Sequence, residues 1–377
     1  MTQPIYLDYN ATTPVDKEVL EAMLPYFSDK FGNAASRTHS FGWVADGAVE
    51  VARKQVANCI DATDREIVFT SGATESINLA LRGVFENYQT KGKHIVTCKT
   101  EHKAVLDTCK ALEEKGATIT YLDVDTEGLI NLKELENAIT DQTVLVCIMY
   151  ANNETGVIQP IKQIAEIVHN KGSIFMSDAA QAVGKIPVNV NTDGIDVLCM
   201  SGHKIYGPKG IGVLYLKRRN PRVVPFPQIT GGGHENGFRS GTLNVPAIVG
   251  LGKACELISS SNYPTAELRN YMENQFLKQT NCVVNGSKNN RLPNTLNISF
   301  KGIKADELIA KLPNLAISMG SACTSANPQP SHVLAAMGLS QKDSYSSVRI
   351  SLGKQTTKQD VEFATNKLIT EVKTNQL

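Results

Sequence analysis

The segment Ser201-Gly202-His203-Lys204 sets a hydroxyl, an imidazole and an amine within four residues of one another. Apolar runs of strand composition flank it, at 195–200 and at 211–216. A lysine held between two buried strands is suited to condensing with a carbonyl cofactor, while Ser201 and His203 point at a phosphate. Taken alone, the segment also fits an exposed hairpin lysine.

Three further polar clusters bear on that choice. Residues 66–69 form a strand that runs into Thr70-Ser71-Gly72-Ala73-Thr74-Glu75-Ser76 and then a helix. Strand, small-residue turn and helix start together offer an anion free N–H groups at Ala73 and Thr74 and the positive end of a helix dipole. A plain N-cap by Ser71 or Thr74 reads as well from the local pattern. A P-loop is excluded, because GxxxxGK[ST] is absent. Asp178, at the end of another apolar run, is placed to keep a pyridine nitrogen protonated, though it also reads as a helix cap. His102, in Thr100-Glu101-His102, is able to lie on a cofactor ring and move protons near neutral pH, or simply to cap the helix that follows. Asn152-Asn153-Glu154 completes the set.

These clusters share a position in the pattern. Strand-like runs at 66–69, 94–98, 118–122, 143–149, 174–177 and 195–200 alternate with helical ones at 103–114 and 161–170. That alternation predicts an α/β fold with a mostly parallel sheet and helices on both faces. Ligands in such sheets lie beyond the carboxyl ends of the strands, where all the clusters fall. Helices are predicted at 17–26, with Val19, Leu20, Met23 and Leu24 on one side, and at 42–58, with an apolar stripe of Val44, Ala48, Val51, Ala52 and Val56. Trp43, the single tryptophan, reads as a packing residue. The chain divides into a large domain over 16–258 and a small α+β domain made of 1–15 and 259–377.

Composition narrows the class further. At 377 residues, 42% hydrophobic and a net charge of +1, the chain is an ordinary globular protein with no electrostatic case for direct nucleic-acid binding. No signal peptide and no membrane span are expected. Eight cysteines form no CxxC pair and no metal-ligand rhythm, so no metal site and a reducing cytoplasm are expected. Cys98, Cys147 and Cys199 lie in strand-like runs and read as inert buried thiols.

Taken in order, Tyr6-Leu7-Asp8-Tyr9-Asn10-Ala11-Thr12-Thr13-Pro14, Phe31-Gly32-Asn33, Phe69 to Glu75, Thr100-Glu101-His102, Asn152 to Gly156, Asp178-Ala179-Ala180-Gln181, Ser201 to Lys204, Arg239-Ser240-Gly241-Thr242 and Gly320-Ser321-Ala322-Cys323 form a specific set. The chain resembles the fold-type I pyridoxal phosphate enzymes, in the class V aminotransferase-like branch. Within that branch it is similar to the cysteine desulfurases of the NifS/IscS type, over nearly its whole length.

The resemblance implies pyridoxal 5'-phosphate as cofactor and L-cysteine as substrate. It gives Lys204 the role of holding the cofactor and moving the α-proton, Asp178 that of pairing with the ring nitrogen, and Gln181 that of bonding the ring oxygen. Ala73, Thr74, Asn153, Ser201 and His203 complete the cofactor site, with Thr242 reaching the phosphate of the other subunit of a homodimer. Arg349, Asn33 and Asn153 would bind the substrate carboxylate; a guanidinium suits that bidentate task better than an ammonium. Cys323, on a loop of small residues, would take the substrate sulfur as a persulfide, release alanine and pass the sulfur to an acceptor protein. The acceptor would serve iron–sulfur assembly, tRNA thiolation or another thio-modification. An ordinary thiol is only a few per cent ionised at neutral pH, so His102 or the substrate would have to deprotonate Cys323.

Departures from the family are few. No proline follows Asn33, and Met319 stands where a small serine is usual. The chain stops soon after its last helix, so scaffold docking through a C-terminal extension is not expected. Two other readings stay open: an aminotransferase or selenocysteine lyase that does not need Cys323, and a non-catalytic platform. Retention of Lys204, Asp178, His102, Cys323 and Arg349 together argues against the last.

Overall fold

The computed structural model describes residues 4–258, 264–319 and 330–376. Its strands, in chain order, are β1 (Ile5–Tyr6), β2 (Ile67–Thr70), β3 (His94–Cys98), β4 (Thr118–Leu122), β5 (Thr143–Cys147), β6 (Ile174–Asp178), β7 (Val197–Ser201), β8 (Gly212–Leu216), β9 (Cys282–Val284), β10 (Thr295–Phe300), β11 (Leu315–Ala316) and β12 (Ser347–Ser351). β2 to β8 form a seven-stranded sheet in the order β2-β8-β7-β6-β5-β3-β4. Only β8 runs against its neighbours, so the expected mostly parallel sheet is present.

These strands read as unbroken apolar runs because they are covered on both sides. Phe69, Val96, Val146, Phe175, Leu198 and Val213 point into one core. Val68, Ile95, Leu145, Met176, Val197 and Leu214, their immediate neighbours in sequence, point into the other. The α-helices up to residue 258 are α1 (Lys17–Met23), α2 (Pro25–Ser28), α3 (Ser40–Cys59), α4 (Ala73–Asn87), α5 (Lys103–Glu113), α6 (Leu132–Ala138), α7 (Ile161–Asn170) and α8 (Val245–Ile258). α3, α7 and α8 cover the first face, while α4 and α5 cover the second.

The predicted helix at 17–26 is two helices. It breaks at Pro25, which has no N–H to continue the hydrogen-bond ladder, although Leu24 before it keeps helical angles. Its core-facing side is also narrower than expected. Val19 and Met23 are buried, whereas Leu20 and Leu24 are 47% and 54% exposed. The stripe predicted for α3 is off by one residue in the same way. Ala45, Val49, Ala52 and Val56 face the core, and Val44 and Val51 lie outside. Trp43 is no packing residue in the single chain, being 60% exposed. These helices carry two apolar faces, and helical periodicity alone cannot say which meets the sheet.

Residues 5–7, 268–319 and 348–372 build a separate core around Leu7, Phe276, Phe300, Ile350 and Leu368. It packs on the three-stranded antiparallel sheet β12-β10-β9. The N-terminal strand belongs to this part, since β1 pairs in parallel with β11. The chain beyond it crosses to the rim of the large sheet.

That rim depends on one close approach. Gly212 opens β8 opposite both Thr70 and Ser201. A Cβ placed there would lie 2.5 Å from Gly72 Cα and 2.7 Å from Met200 O. Overpacking of this kind costs about 1–3 kcal/mol. Gly212→Ala is therefore expected to lower the unfolding free energy by that amount in a denaturant titration and to weaken anion binding at the displaced Gly72 turn, measured as phosphate affinity.

Candidate active site

The rim of the large sheet holds a cavity of ≈ 600 Å³ lined by Ala73, Thr74, His102, Asn153, Asp178, Gln181, Ser201, His203, Lys204 and Arg349, among others. All but Arg349, which lies mid-strand in β12, come from the end of a large-sheet strand or from the turn or helix start just beyond it. Asn33 and Thr242 are not in this lining. Asn33 is exposed and its Oδ1 accepts from the Ala35 N–H at 2.9 Å, while Thr242 is exposed beyond the glycine-rich loop. Cys323 lies outside the described residues.

One end of the cavity is built for an anion. α4 starts from Gly72, and neither Ser71 nor Thr74 caps it with a side chain. The first-turn N–H groups of this fifteen-residue helix are thus left for a ligand. Ser201 Oγ stands 3.8 Å from where a Gly72 Cβ would be. Burial, with Lys204 and Lys209 adding to it, pushes His203 down to about 4, so the ring is neutral at physiological pH. Glu75 would repel an anion here but is tied down: burial opposes its ionisation, and Arg239 Nε at 2.8 Å and the Ser71 N–H at 2.8 Å overcome that.

The other end carries Asp178 at the tip of β6. The carboxyl is buried, and one oxygen accepts from the Ala180 N–H at 2.9 Å, so it also caps its own turn. Burial pushes its pKa up, while His102 and Lys204 pull it down. A carboxylate in this setting favours a cationic partner strongly.

Between the two ends Lys204 Nζ donates to the carbonyls of Asn10 and Ala11, each at 2.7 Å. Burial lowers its pKa to about 8, with help from the Arg349 charge and opposition from Asp178 and Asp8. It is no exposed hairpin lysine. His102 sits at the start of α5, and its Nδ1 accepts from the Ala104 N–H at 3.1 Å. A backbone amide can only donate, so the neutral ring carries its proton on Nε2. His102 therefore caps a helix and also presents an N–H to the cavity.

Arg349, on β12, reaches across from the small sheet. Its Nη1 donates to Asn153 O at 3.0 Å and its Nη2 pairs with Asp8 Oδ1 at 2.6 Å. Asp8 and Asn10 had no role assigned from the sequence. Asn10 is buried and is hydrogen-bonded to Asn153, Gln181, Lys185, Lys204, Asn294, Thr295 and Ser351. A short, rigid segment preceding a proline was the only signal that could have singled it out.

The geometry fits a ligand with an acidic group, a protonatable ring nitrogen and a carbonyl: the uncapped helix end, Asp178 and Lys204 meet each in turn. The sequence pattern of the family described as Aminotransferase class-V matches residues 5–363, and the chain belongs to that family. It is 50% identical over 377 residues to the cysteine desulfurase IscS of Rickettsia africae (strain ESF-5), spanning 99% of this chain and 92% of that one. Among solved structures, a NifS-like protein superposes with a TM-score of 0.90 at 38% identity, covering 98% of this chain and 99% of the other. The structure described as SspA in complex with cysteine gives 0.82 at 41% identity, covering 92% and 98%. Members of this family use pyridoxal phosphate, and the donor set here suits it.

The amine state of Lys204 is open to direct measurement. Only the neutral amine adds to a carbonyl, so the initial rate at which cofactor-free protein takes up pyridoxal phosphate is expected to rise with pH through about 8 and then level. Arg349→Gln removes a depressing charge and should move the curve to higher pH. Asp178→Asn removes a carboxylate that favours the ammonium and should move it lower. A rate flat from pH 6 to 10 would contradict the burial of this amine.

Proposed function

We propose that this chain is a pyridoxal phosphate-dependent cysteine desulfurase that converts L-cysteine to L-alanine and delivers the sulfur through Cys323. The observation that carries the reading is the meeting of Lys204, Asp178 and the open start of α4 in one cavity, with Arg349 at its side. When bound, the cofactor withdraws electrons from the α-carbon of the amino acid.

The protein's own residues do the rest. Thr74, Ala73, Ser201 and His203 hold the phosphate, Asp178 keeps the ring nitrogen protonated, and Gln181 donates to the ring oxygen. Arg349, with Asn33 and Asn153, binds the substrate carboxylate, which has to displace or share the Asp8 contact. Lys204 Nζ, neutral above pH 8, takes the α-proton and returns it. His102 offers its Nε2 proton, so the task of deprotonating Cys323 falls to the substrate rather than to this ring. The thiolate of Cys323 then attacks the substrate sulfur. The S–S bond forms as the C–S bond breaks, and alanine and a Cys323 persulfide result.

Other thiols are poor competitors. Burial pushes Cys98 and Cys109 up to about 12, and Cys147 and Cys199 rise well above the ordinary range for the same reason. Among the described residues no helix is long and apolar enough to cross a membrane. A reducing cytoplasm would keep Cys323 a thiol, and a sulfur-acceptor protein serving iron–sulfur assembly, tRNA thiolation or another thio-modification would complete the cycle. We take 16–258 as the large domain and 1–15 with 259–377 as the small one, a division supported by the separate core around Phe276 and Phe300.

The chain acts as a homodimer in this reading. Leu20, Leu24, Phe27, Phe31, Phe41 and Trp43 expose a wide apolar face on and around α1–α3, an arrangement that a lone soluble chain rarely leaves uncovered. Thr242, exposed beyond the glycine-rich loop, would reach the phosphate of the second copy. Leu24→Glu combined with Trp43→Glu is expected to give a monomer by sedimentation, with weakened cofactor affinity. A dimer that survives both changes would place the interface elsewhere.

Activity separates the alternatives. Cys323→Ala should keep the bound cofactor yet lose alanine formation from L-cysteine; alanine at the normal rate would favour an aminotransferase or a selenocysteine lyase. Arg349→Lys should raise KM for L-cysteine roughly 10- to 150-fold, the range set by losing one hydrogen bond to a charged group at about 1.5–3 kcal/mol.

A further inference from the structure

Lys185 is a second buried amine beside the site, and nothing in the reaction above uses it. It follows Gly184, whose φ of +78° turns the chain back and whose missing Cβ would sit 2.9 Å from Ile205 Cγ2. The turn brings Lys185 Nζ against Gln181 Oε1, with a second contact to Asn10 Oδ1 at 3.3 Å. The other end of the same Gln181 amide, Nε2, donates to Asn10 O at 3.0 Å. Lys185 borders a smaller cavity of ≈ 210 Å³ shared with Tyr9, Asn294 and Lys204, whereas Gln181 lines the main one.

The two ends of a primary amide are nearly the same size, so packing cannot choose between them; hydrogen-bond partners do. The Asn10 carbonyl only accepts, so it takes the NH2 end, and Lys185 then faces Oε1 and donates to it. The carbonyl end of Gln181 is therefore held away from the main cavity. The NH2 end keeps one N–H beyond the one given to Asn10. Without Lys185, Oε1 would be a buried acceptor lacking its donor; a simple flip would set it against the Asn10 carbonyl, so the amide would instead swing out of the orientation that both partners hold.

We propose that Lys185 is a positioning residue that fixes the flip of the Gln181 amide, making Gln181 an obligatory donor to the ring oxygen of the bound cofactor. The inference rests on the role given to Gln181 above. Burial, with Lys204 and Arg349 nearby, pushes the Lys185 pKa well down. The residue accordingly acts through its N–H groups more than through its charge, and this distinguishes it from a simple counter-ion.

The test reads the pH titration of the visible absorption of protein reconstituted with pyridoxal phosphate, which does not require turnover. A donor at the ring oxygen favours its deprotonated form, so Lys185→Met should raise the apparent pKa by about one unit, a tenfold change in proton affinity. Lys185→Arg and Lys185→Gln, which keep an N–H donor with and without charge, should stay close to wild type. Melting curves of the cofactor-free variants check folding, and Lys185→Leu replaces the Met variant if that one does not fold. An unchanged Lys185→Met beside a raised Gln181→Leu would overturn the role of Lys185 and leave that of Gln181 intact. If Gln181→Leu moves nothing, both fall. A Lys185→Gln shift as large as that of Lys185→Met would assign the effect to charge and also overturn the proposal.

Discussion

Lys204 exchanges water for two backbone carbonyls, and the chemistry open to the site follows from that exchange. An ammonium in bulk water stays protonated far above neutral pH. Buried at the end of β7 and faced by the Arg349 charge, this one is brought to about 8, where the free amine is a substantial fraction under working conditions. Two hydrogen bonds at 2.7 Å keep the group in place without neutralising it. A carboxylate in their position would have restored the charge and removed the nucleophile.

The carbonyls come from Asn10 and Ala11, which lie far from Lys204 in sequence, in the turn that follows β1. The same short segment supplies Asp8 to Arg349, so one stretch of backbone fixes both the amine and the guanidinium. Asn10 extends this control through its contacts with Gln181, Lys185, Asn153 and Thr295. Residues from both sheets are thereby held in one frame. Movement of either sheet relative to the other would be felt at the amine, at Gln181 and at the Arg349 guanidinium together.

Charge in the cavity is distributed by the same logic. The open start of α4 and the neutral ring of His203 receive an anion, while Glu75, which could repel it, is bound by Arg239 and Ser71. Asp178 lies at the opposite end, buried and calling for a cation. A ligand that is acidic at one end and basic at the other enters this field in one orientation only. His102 between them is fixed as a donor at Nε2 by the amide it caps.

The sequence alone pointed to most of the residues that line the cavity and to the strands that carry them. Apolar runs buried on both faces, each ending in a polar cluster, specify a parallel sheet and a single rim, because the strand ends of such a sheet necessarily share one edge. The local alternative for His102 was also legible, since it caps α5 while lining the cavity; Asp178 caps only a turn, with no helix after it. Tertiary structure decided what periodicity cannot: which of two apolar faces on α1 and α3 meets the sheet, since Leu20, Val44 and Val51 lie one residue from the buried positions and follow the same helical period. It also decided the parts played by Asn10, Asp8 and Lys185. They act through backbone carbonyls, a carboxylate and side-chain hydrogen bonds whose partners are set by where distant segments cross, a relation that no local pattern of side chains encodes.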